Sequence, residues 1–179
     1  QGVVNTALHS GLSRPHVLTS AIEHPSVSGV KKMADQGLID NDEIPIDGDG
    51  IVDLQSLQSL IKPETVLISV MLVNSEIGTI QPINNIAKLI RRYRKQHGLI
   101  NSDHHYPLLH SDASQAVLTN KINLQKLHVD LLTINGHKVY APTGSGLLYV
   151  NPVIKDLIAP LFVANYEKTY LRPGTASVA

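Results

Sequence analysis

The sequence predicts an α/β fold built on a mostly parallel sheet with helices on both faces. Runs of apolar and β-branched residues alternate with segments of helical length and period, and Gly, Pro, Asn and Asp separate the two kinds of segment. One run, "VLISVMLV" (66–73), is apolar on both faces. Such a strand fits the middle of a sheet that helices cover on both sides, which is what parallel βαβ units produce.

Each element follows from this alternation in chain order. The predicted strands are 16–22, 43–47, 66–73, 107–113, 129–134 and 146–150, and the predicted helices are 24–36, 53–61 and 83–97. The last helix carries apolar residues at helical spacing, and the opening phrase "QGVVNTALHSGL" is also helix-like. Because no repeat or internal linker separates these elements, we expect residues 1–179 to form a single incomplete domain. We expect the chain to be an excerpt from a longer polypeptide.

Composition narrows the class of protein. The chain has 179 residues, 42% of them hydrophobic, so it can bury one sizeable core. It has no net charge, so its composition does not indicate a basic surface for nucleic acid. It contains no apolar run of about 18 residues for a membrane span, and its first residues do not show the charged-then-apolar pattern expected of a secretory leader. Zero cysteines exclude disulfides and cysteine nucleophiles within the chain. We expect a cytoplasmic protein without nucleic-acid or membrane partners, with a mitochondrial location still open.

Polar side chains follow four of the predicted strands. In parallel sheets ligands bind where strands end at their carboxyl edges, so these side chains are candidates for one site if the strand order permits. The order of the strands cannot be read from the sequence. The candidates are Glu23 and His24 after the first strand, Asn74, Ser75 and Glu76 after the third, Asp112 and Gln115 after the fourth, and Asn135, His137 and Lys138 after the fifth.

Five blocks of sequence together resemble one family. They are "EHPSV", "VNSEIGTIQPI", "HSDASQA", "DLLTINGHKVYAPTGSGLLYV" and "RPGT". In this order and at this spacing they resemble the cysteine desulfurase and selenocysteine lyase family, whose members are pyridoxal-phosphate enzymes of the class V aminotransferase fold. The "RPGT" block and the insert before "HSDASQA" look closer to selenocysteine lyases.

The resemblance implies a role for each residue that matches a family position. Lys138 would hold pyridoxal phosphate as a Schiff base, and Asp112 would pair with the pyridinium nitrogen. His24 would stack on the cofactor ring and share proton transfers with Lys138. Gln115 would bind the phenolic oxygen of the ring.

Further residues match positions around the phosphate and the ring oxygen. Asn135 and His137 match positions that contact the phosphate, and Thr175 would reach the phosphate of a dimer partner. Asn74 and Ser75 stand where the family usually shows two asparagines. Ser75 therefore departs from the family pattern. Asn135 departs from it as well, because a serine usually stands at that position.

Several of these residues also have a structural interpretation. Lys138 could be a solvated loop lysine, Asp112 could cap a helical turn, and His24 could be a turn residue before a helix that starts with proline. The histidines His104, His105 and His110 suggest a metal site, but they lie in a polar insert without a convincing carboxylate or cysteine partner at ligand spacing, so we predict no metal.

The resemblance implies removal of selenium or sulfur from L-selenocysteine or L-cysteine to give L-alanine. The implied partners are a second copy of the chain and an acceptor protein for sulfur or selenium. The family's catalytic cysteine, substrate-binding arginine and phosphate motif are expected outside this stretch, so the stretch alone should be inactive. Two alternatives stay open: a pseudoenzyme of the same fold, and another class V enzyme such as a transaminase or β-lyase.

Overall fold

The computed structural model of the protein describes residues 1–99 and 105–160. Within these residues, one sheet has the strand order β2-β1-β3-β4-β5-β6. Strands β1 to β5 run parallel to their neighbours, and β6 runs antiparallel to β5. The predicted fold class is confirmed. The strands are β1 (His16–Ser20), β2 (Asp40–Ile44), β3 (Thr65–Ser69), β4 (Leu108–Asp112), β5 (Leu131–Asn135) and β6 (Gly146–Val150).

Helices connect the parallel strands. Polar side chains set several of their starts: Asp53 accepts the N–H of Gln55 at 2.9 Å, which caps the helix that follows β2. The α-helices are α1 (Gly2–His9), α2 (Pro25–Ser28), α3 (Lys31–Asp35), α4 (Leu54–Leu60), α5 (Ile83–Gln96) and α6 (Leu124–Leu127). Short 3-10 helices cover Gly136–Val139 and Pro152–Leu157.

The core lies on both faces of the sheet. Successive residues of a strand point to opposite faces, and accordingly Val17 packs in one apolar cluster and Leu18 in the other. One cluster includes the buried face of α5, with Ile86 and Ile90. The other includes the buried residues of α1, among them Val3. The helix-like opening phrase is therefore a helix with a packing partner.

Strand β3 lies inside the sheet, as its apolar composition predicts. It pairs with β1 on one side and β4 on the other. The strand ends at Ser69, earlier than predicted, but the chain stays bonded to β4: the N–H of Val70 donates to His110 O at 3.1 Å, and the N–H of Leu72 donates to Asp112 O at 2.8 Å. The apolar run therefore continues along the sheet beyond the regular strand.

Two predicted elements are displaced or divided. The predicted strand 43–47 is observed as Asp40–Ile44, because β2 is an edge strand whose polar residues face solvent and pair with cations, as Lys31 does with Glu43 at 2.6 Å. The predicted helix 24–36 is observed as α2 and α3, separated by tight bonds such as that from the N–H of Val30 to Val27 O at 3.1 Å. The short α6 and both 3-10 helices were not predicted.

No helix in the described ranges is long and apolar enough to cross a membrane.

Candidate active site

The candidate residues follow four strands that are neighbours in the sheet. Strands β1, β3, β4 and β5 are adjacent and parallel, so their carboxyl ends lie at one edge. Asp112 at the end of β4 pairs in register with Thr133 of β5, and β5 ends two residues later at Asn135. Lys138 follows in the 3-10 helix at this same edge. The strand order therefore meets the condition that the sequence left open.

Asp112 caps the turn that follows β4. Its Oδ1 accepts the N–H of Ser114 at 2.9 Å, and its main-chain oxygen accepts the N–H of Leu72. The capping interpretation of Asp112 is therefore correct. No hydrogen bond within the described ranges involves Oδ2, so this second oxygen remains available to a ligand.

Ser114 joins the ends of β4 and β5. Its Oγ accepts the N–H of Asn135 at 3.1 Å, while its own N–H donates to Asp112. Asn135 in turn accepts the N–H of His137 on its side-chain oxygen at 3.4 Å, one residue before Lys138. Sequence reasoning missed Ser114. Its place two residues after a strand-end aspartate was the available signal, because such positions cap and connect turns.

The loop that carries Lys138 is folded back on β6. The N–H of Gly136 donates to Ser145 O at 2.9 Å, and the N–H of Ala141 donates to Gly136 O at 3.0 Å. A Cβ atom on Gly136 would overlap Ser145 Oγ and would lie 2.7 Å from Ser145 O, so only glycine fits there. Tyr140 has φ +61°, in the left-handed region, and is exposed. These bonds and the close packing at Gly136 fix the backbone of the segment that carries Lys138.

The Lys138 side chain is half-buried at the sheet edge. Within residues 1–99 and 105–160 its amine has no ion pair and no hydrogen bond. An amine without a bonding partner is available to react with a carbonyl group. The arrangement can therefore support carbonyl attachment at this nitrogen.

His24 caps helix α2. Its Nδ1 accepts the N–H of Ser26 at 3.2 Å and lies 2.8 Å from Ser26 Oγ, and Pro25 occupies the first helical position. The turn interpretation of His24 is therefore also correct. The cap uses only Nδ1 of an exposed side chain, so the ring face stays open to a stacked group.

Glu23 is the acidic residue that precedes His24. Its Oε1 accepts bonds from Ser20 Oγ at 2.5 Å and from the N–H of Met71 at 2.6 Å, whereas its buried Oε2 has no partner in the described part of the chain. Burial raises the pKa of Glu23 to about 7, the two hydrogen bonds oppose the rise, and the negative charge of Asp112 adds to it. The carboxyl groups of Glu23 and Asp112 therefore influence one another across the strand ends.

The remaining predicted residues differ in their freedom to bind a ligand. The amide of Asn74 is occupied: Nδ2 donates to Ile22 O at 3.0 Å, and Oδ1 accepts the N–H groups of Glu76 and Ile77. Ser75 and His137 are exposed, and Gln115 is half-buried. Thr175 lies outside the described residues, as does the "RPGT" block.

His110 forms a polar chain across three strands. Its Nδ1 lies 2.8 Å from Ser69 Oγ, and its Nε2 lies 2.8 Å from Thr133 Oγ1. Desolvation lowers the pKa of His110 to about 4, against an opposing effect of Asp112, so the imidazole is neutral at physiological pH. This histidine is thus a structural bridge. Among the residues that the structure describes, no group of three His, Asp or Glu side chains could hold a metal ion; His104 lies outside them.

Comparisons with known proteins show the family of the chain. The family model described as aminotransferase class V matches residues 2–169. The chain is 35% identical over 160 residues to the mitosomal cysteine desulfurase of Trachipleistophora hominis, covering 89% of this chain and 34% of the relative. It is 33% identical over 165 residues to the cysteine desulfurase IscS of Rickettsia prowazekii, covering 92% of this chain and 37% of the relative.

Solved structures show the same fold. A NifS-like protein superposes with a TM-score of 0.81 at 28% identity, covering 98% of this chain and 45% of that chain. SspA in complex with cysteine superposes with a TM-score of 0.76 at 28% identity, covering 98% of this chain and 49% of that chain.

The chain thus spans little more than a third of the length of these curated relatives. Their names agree with the predicted family, whereas the preference for selenocysteine lyases within it stays a prediction. The match of the family model over nearly the whole chain decides the assignment: this chain belongs to the aminotransferase class V family.

Proposed function

We propose that the intact protein uses pyridoxal phosphate to remove sulfur or selenium from L-cysteine or L-selenocysteine, which leaves L-alanine. One observation carries the proposal: Asp112 and Lys138 lie at the ends of adjacent parallel strands and are connected through Ser114 and Asn135. The names of the relatives, which are cysteine desulfurases, support the choice of reaction.

The residues of the site fit pyridoxal phosphate. When bound, this cofactor supplies an aldehyde for attachment to an amine and a ring that withdraws electrons from the substrate. In our proposal the free Oδ2 of Asp112 holds the proton of the ring nitrogen, and the half-buried Lys138 amine holds the aldehyde carbon. Gln115 accompanies Asp112 on the turn after β4 and binds the phenolic oxygen of the ring.

The other residues orient the cofactor and the substrate. His24 covers the ring with its open face, and Asn135 and His137 bind the phosphate at the start of the 3-10 helix. Asn74 and Ser75 follow β3 beside the ring oxygen. Because the amide of Asn74 is already bonded within its loop, Ser75 has the freer side chain of the two.

Proton transfer falls to two side chains. With the cofactor bound, Lys138 would transfer protons at the substrate carbons, and His24 would be a second acid or base at the same edge. Asp112 would accept a hydrogen bond from the protonated ring nitrogen. These proton transfers would assist cleavage of the bond between Cβ and the chalcogen, and the catalytic cysteine expected outside this stretch would receive the chalcogen as a persulfide or its selenium equivalent, while Cβ takes a proton to complete alanine.

The same proposal includes partners and a compartment. We infer a homodimer, in which Thr175 contacts the phosphate bound by the partner subunit, and an acceptor protein that takes the released sulfur or selenium. We place the protein in the cytoplasm. Relatives named mitochondrial and mitosomal make an organelle the alternative location, which fractionation of the source cells would decide.

Alanine formation tests the proposed function. The intact protein, supplied with pyridoxal phosphate and a reducing thiol, should release alanine from L-cysteine and L-selenocysteine, and Lys138→Ala should abolish release. Lys155→Ala is the matched control, because Lys155 is exposed on the later 3-10 helix and should leave turnover unchanged. Cofactor binding without alanine release would instead favour a transaminase or β-lyase, and absence of cofactor binding would favour a pseudoenzyme.

A further inference from the structure

Glu23 ties the end of β1 to the chain beyond β3. The regular pairing of β1 with β3 ends at Thr19 and Ser69, before the site is reached. Beyond that point, the N–H of Met71 donates to Oε1 of Glu23 at 2.6 Å. A side chain thus continues the connection between the two strands where the main-chain ladder has stopped.

This contact lies between two predicted site residues. Glu23 directly precedes His24, and Met71 directly precedes Leu72, whose N–H donates to the main-chain oxygen of Asp112 at 2.8 Å. A continuous path therefore runs from His24 through Glu23 and Met71 to Asp112. The bond from Ser20 Oγ to the same Oε1 fixes the carboxyl group against its own strand.

We propose that Glu23 is a positioning residue that holds the turn between β1 and α2, and with it His24, against the end of β3 beside Asp112. The inference rests on the proposed function for the role of His24. A carboxyl group with one buried, unpartnered oxygen is costly to retain. A positioning role at the site explains why this cost is accepted. If the turn needed only stability, an apolar residue could stand at this position.

The charge environment supports this placement. Among the described residues, Asp112 is the ionisable group whose charge acts on Glu23, and burial favours the neutral acid. A neutral Glu23 still accepts the Met71 N–H at Oε1, and it spares Asp112 a second negative charge nearby. The positioning contact and the charge of Asp112 are therefore compatible.

The test separates the positioning contact from the cofactor. Amide hydrogen exchange at Met71, measured by NMR on the intact protein, reports the contact without any cofactor. Glu23→Ala should accelerate exchange at Met71 by about tenfold or more, whereas Glu23→Gln, which keeps an acceptor oxygen, should remain within about threefold of wild type. Glu43→Gln on β2, away from the site, is the matched control and should change nothing.

The affinity for pyridoxal phosphate is the second measurement. Absorbance titration with pyridoxal phosphate should give a Kd about tenfold higher for Glu23→Ala than for wild type and nearly unchanged for Glu23→Gln. Unchanged exchange at Met71 in Glu23→Ala would overturn the inference, as would faster exchange with an unchanged Kd, because the contact would then be merely structural.

Failure of the proposed function would look different. Wild-type protein that binds no pyridoxal phosphate would contradict that function, and exchange at Met71 would still decide whether Glu23 holds the turn. If Glu23→Ala yields no folded protein, Glu23→Asp shortens the side chain by one methylene and is judged by the same two measurements.

Discussion

Asp112 and Asn135, which end neighbouring parallel strands, both form a hydrogen bond to the same serine. Ser114 donates its N–H to Asp112 Oδ1 at 2.9 Å and accepts the N–H of Asn135 on its Oγ at 3.1 Å. Because Lys138 follows Asn135 by three residues, this bridge connects the carboxylate of the site to the segment that carries the amine.

Replacing Ser114 by alanine should remove the side-chain hydrogen bond of the bridge without changing the apolar core. Loss of the bond to the N–H of Asn135 should lower the free energy of unfolding by about 1 kcal/mol and weaken binding of pyridoxal phosphate. Chemical denaturation and cofactor titration measure the two effects. Ser59→Ala, at an exposed serine of α4, is the control. Cofactor affinity equal to wild type in Ser114→Ala would show that the bridge does not position the site.

Asp112→Asn separates the two roles of Asp112. Asparagine can still accept the N–H of Ser114, so the free energy of unfolding should change by less than about 1 kcal/mol. The charge that pairs with the ring nitrogen is lost, so alanine formation should fall roughly 100-fold or more. Denaturation curves and turnover rates give both numbers. A large loss of stability with unchanged turnover would reverse the assignment and leave Asp112 as a cap alone.

Gly136→Ala should destabilise the loop that carries Lys138. The added methyl group would overlap the main-chain oxygen of Ser145, at 2.7 Å, and backbone cannot yield as a side-chain tip can. We expect a loss of about 1 to 3 kcal/mol, measured by denaturation. Gly48→Ala is the matched control, because a methyl group there meets no atom within 4 Å. Equal stability of the two variants would mean that the loop is not fixed by this contact.

Glu23 should give the stability of the protein a measurable pH dependence. Its pKa is raised from 4.5 to about 7 in the folded protein, so between these pH values the folded state keeps a proton that the unfolded state releases. The contribution of Glu23 to stability should therefore fall as pH rises from 5 to 7 and level off above, while the lowered pKa of His110 contributes a change of opposite sign over part of this range. Glu23→Gln cannot ionise, so relative to wild type its free energy of unfolding should increase by on the order of 2 kcal/mol between pH 5 and pH 8. Parallel pH profiles of the two proteins would contradict the raised pKa.

The sequence predicted those parts of the fold that depend on local pattern. The apolar run 66–73 correctly indicated an interior strand, and the period of 83–97 correctly indicated helix α5. Strand β2 was displaced in the prediction because an edge strand needs only one covered face and can carry charges such as Glu43. Helix α6, of four residues, is too short for its period to be seen.

The same distinction between local pattern and distant contacts applies to the candidate site. That polar residues follow the strands could be read from the sequence, but their convergence at one edge depended on the strand order. The contacts that hold the site, from Ser114 to Asn135 and from Glu23 to Met71, join residues 21 and 48 positions apart. Contacts at such separation leave no local pattern, so they became visible only in the structure.

The central claim, that Lys138 holds pyridoxal phosphate, is tested most directly by borohydride reduction after incubation of the intact protein with the cofactor. Peptide mass mapping then locates the reduced adduct. The account predicts a single adduct on Lys138, lost in Lys138→Ala and kept in Lys155→Ala. No adduct in the wild-type protein, or labelling scattered over surface lysines, would contradict it.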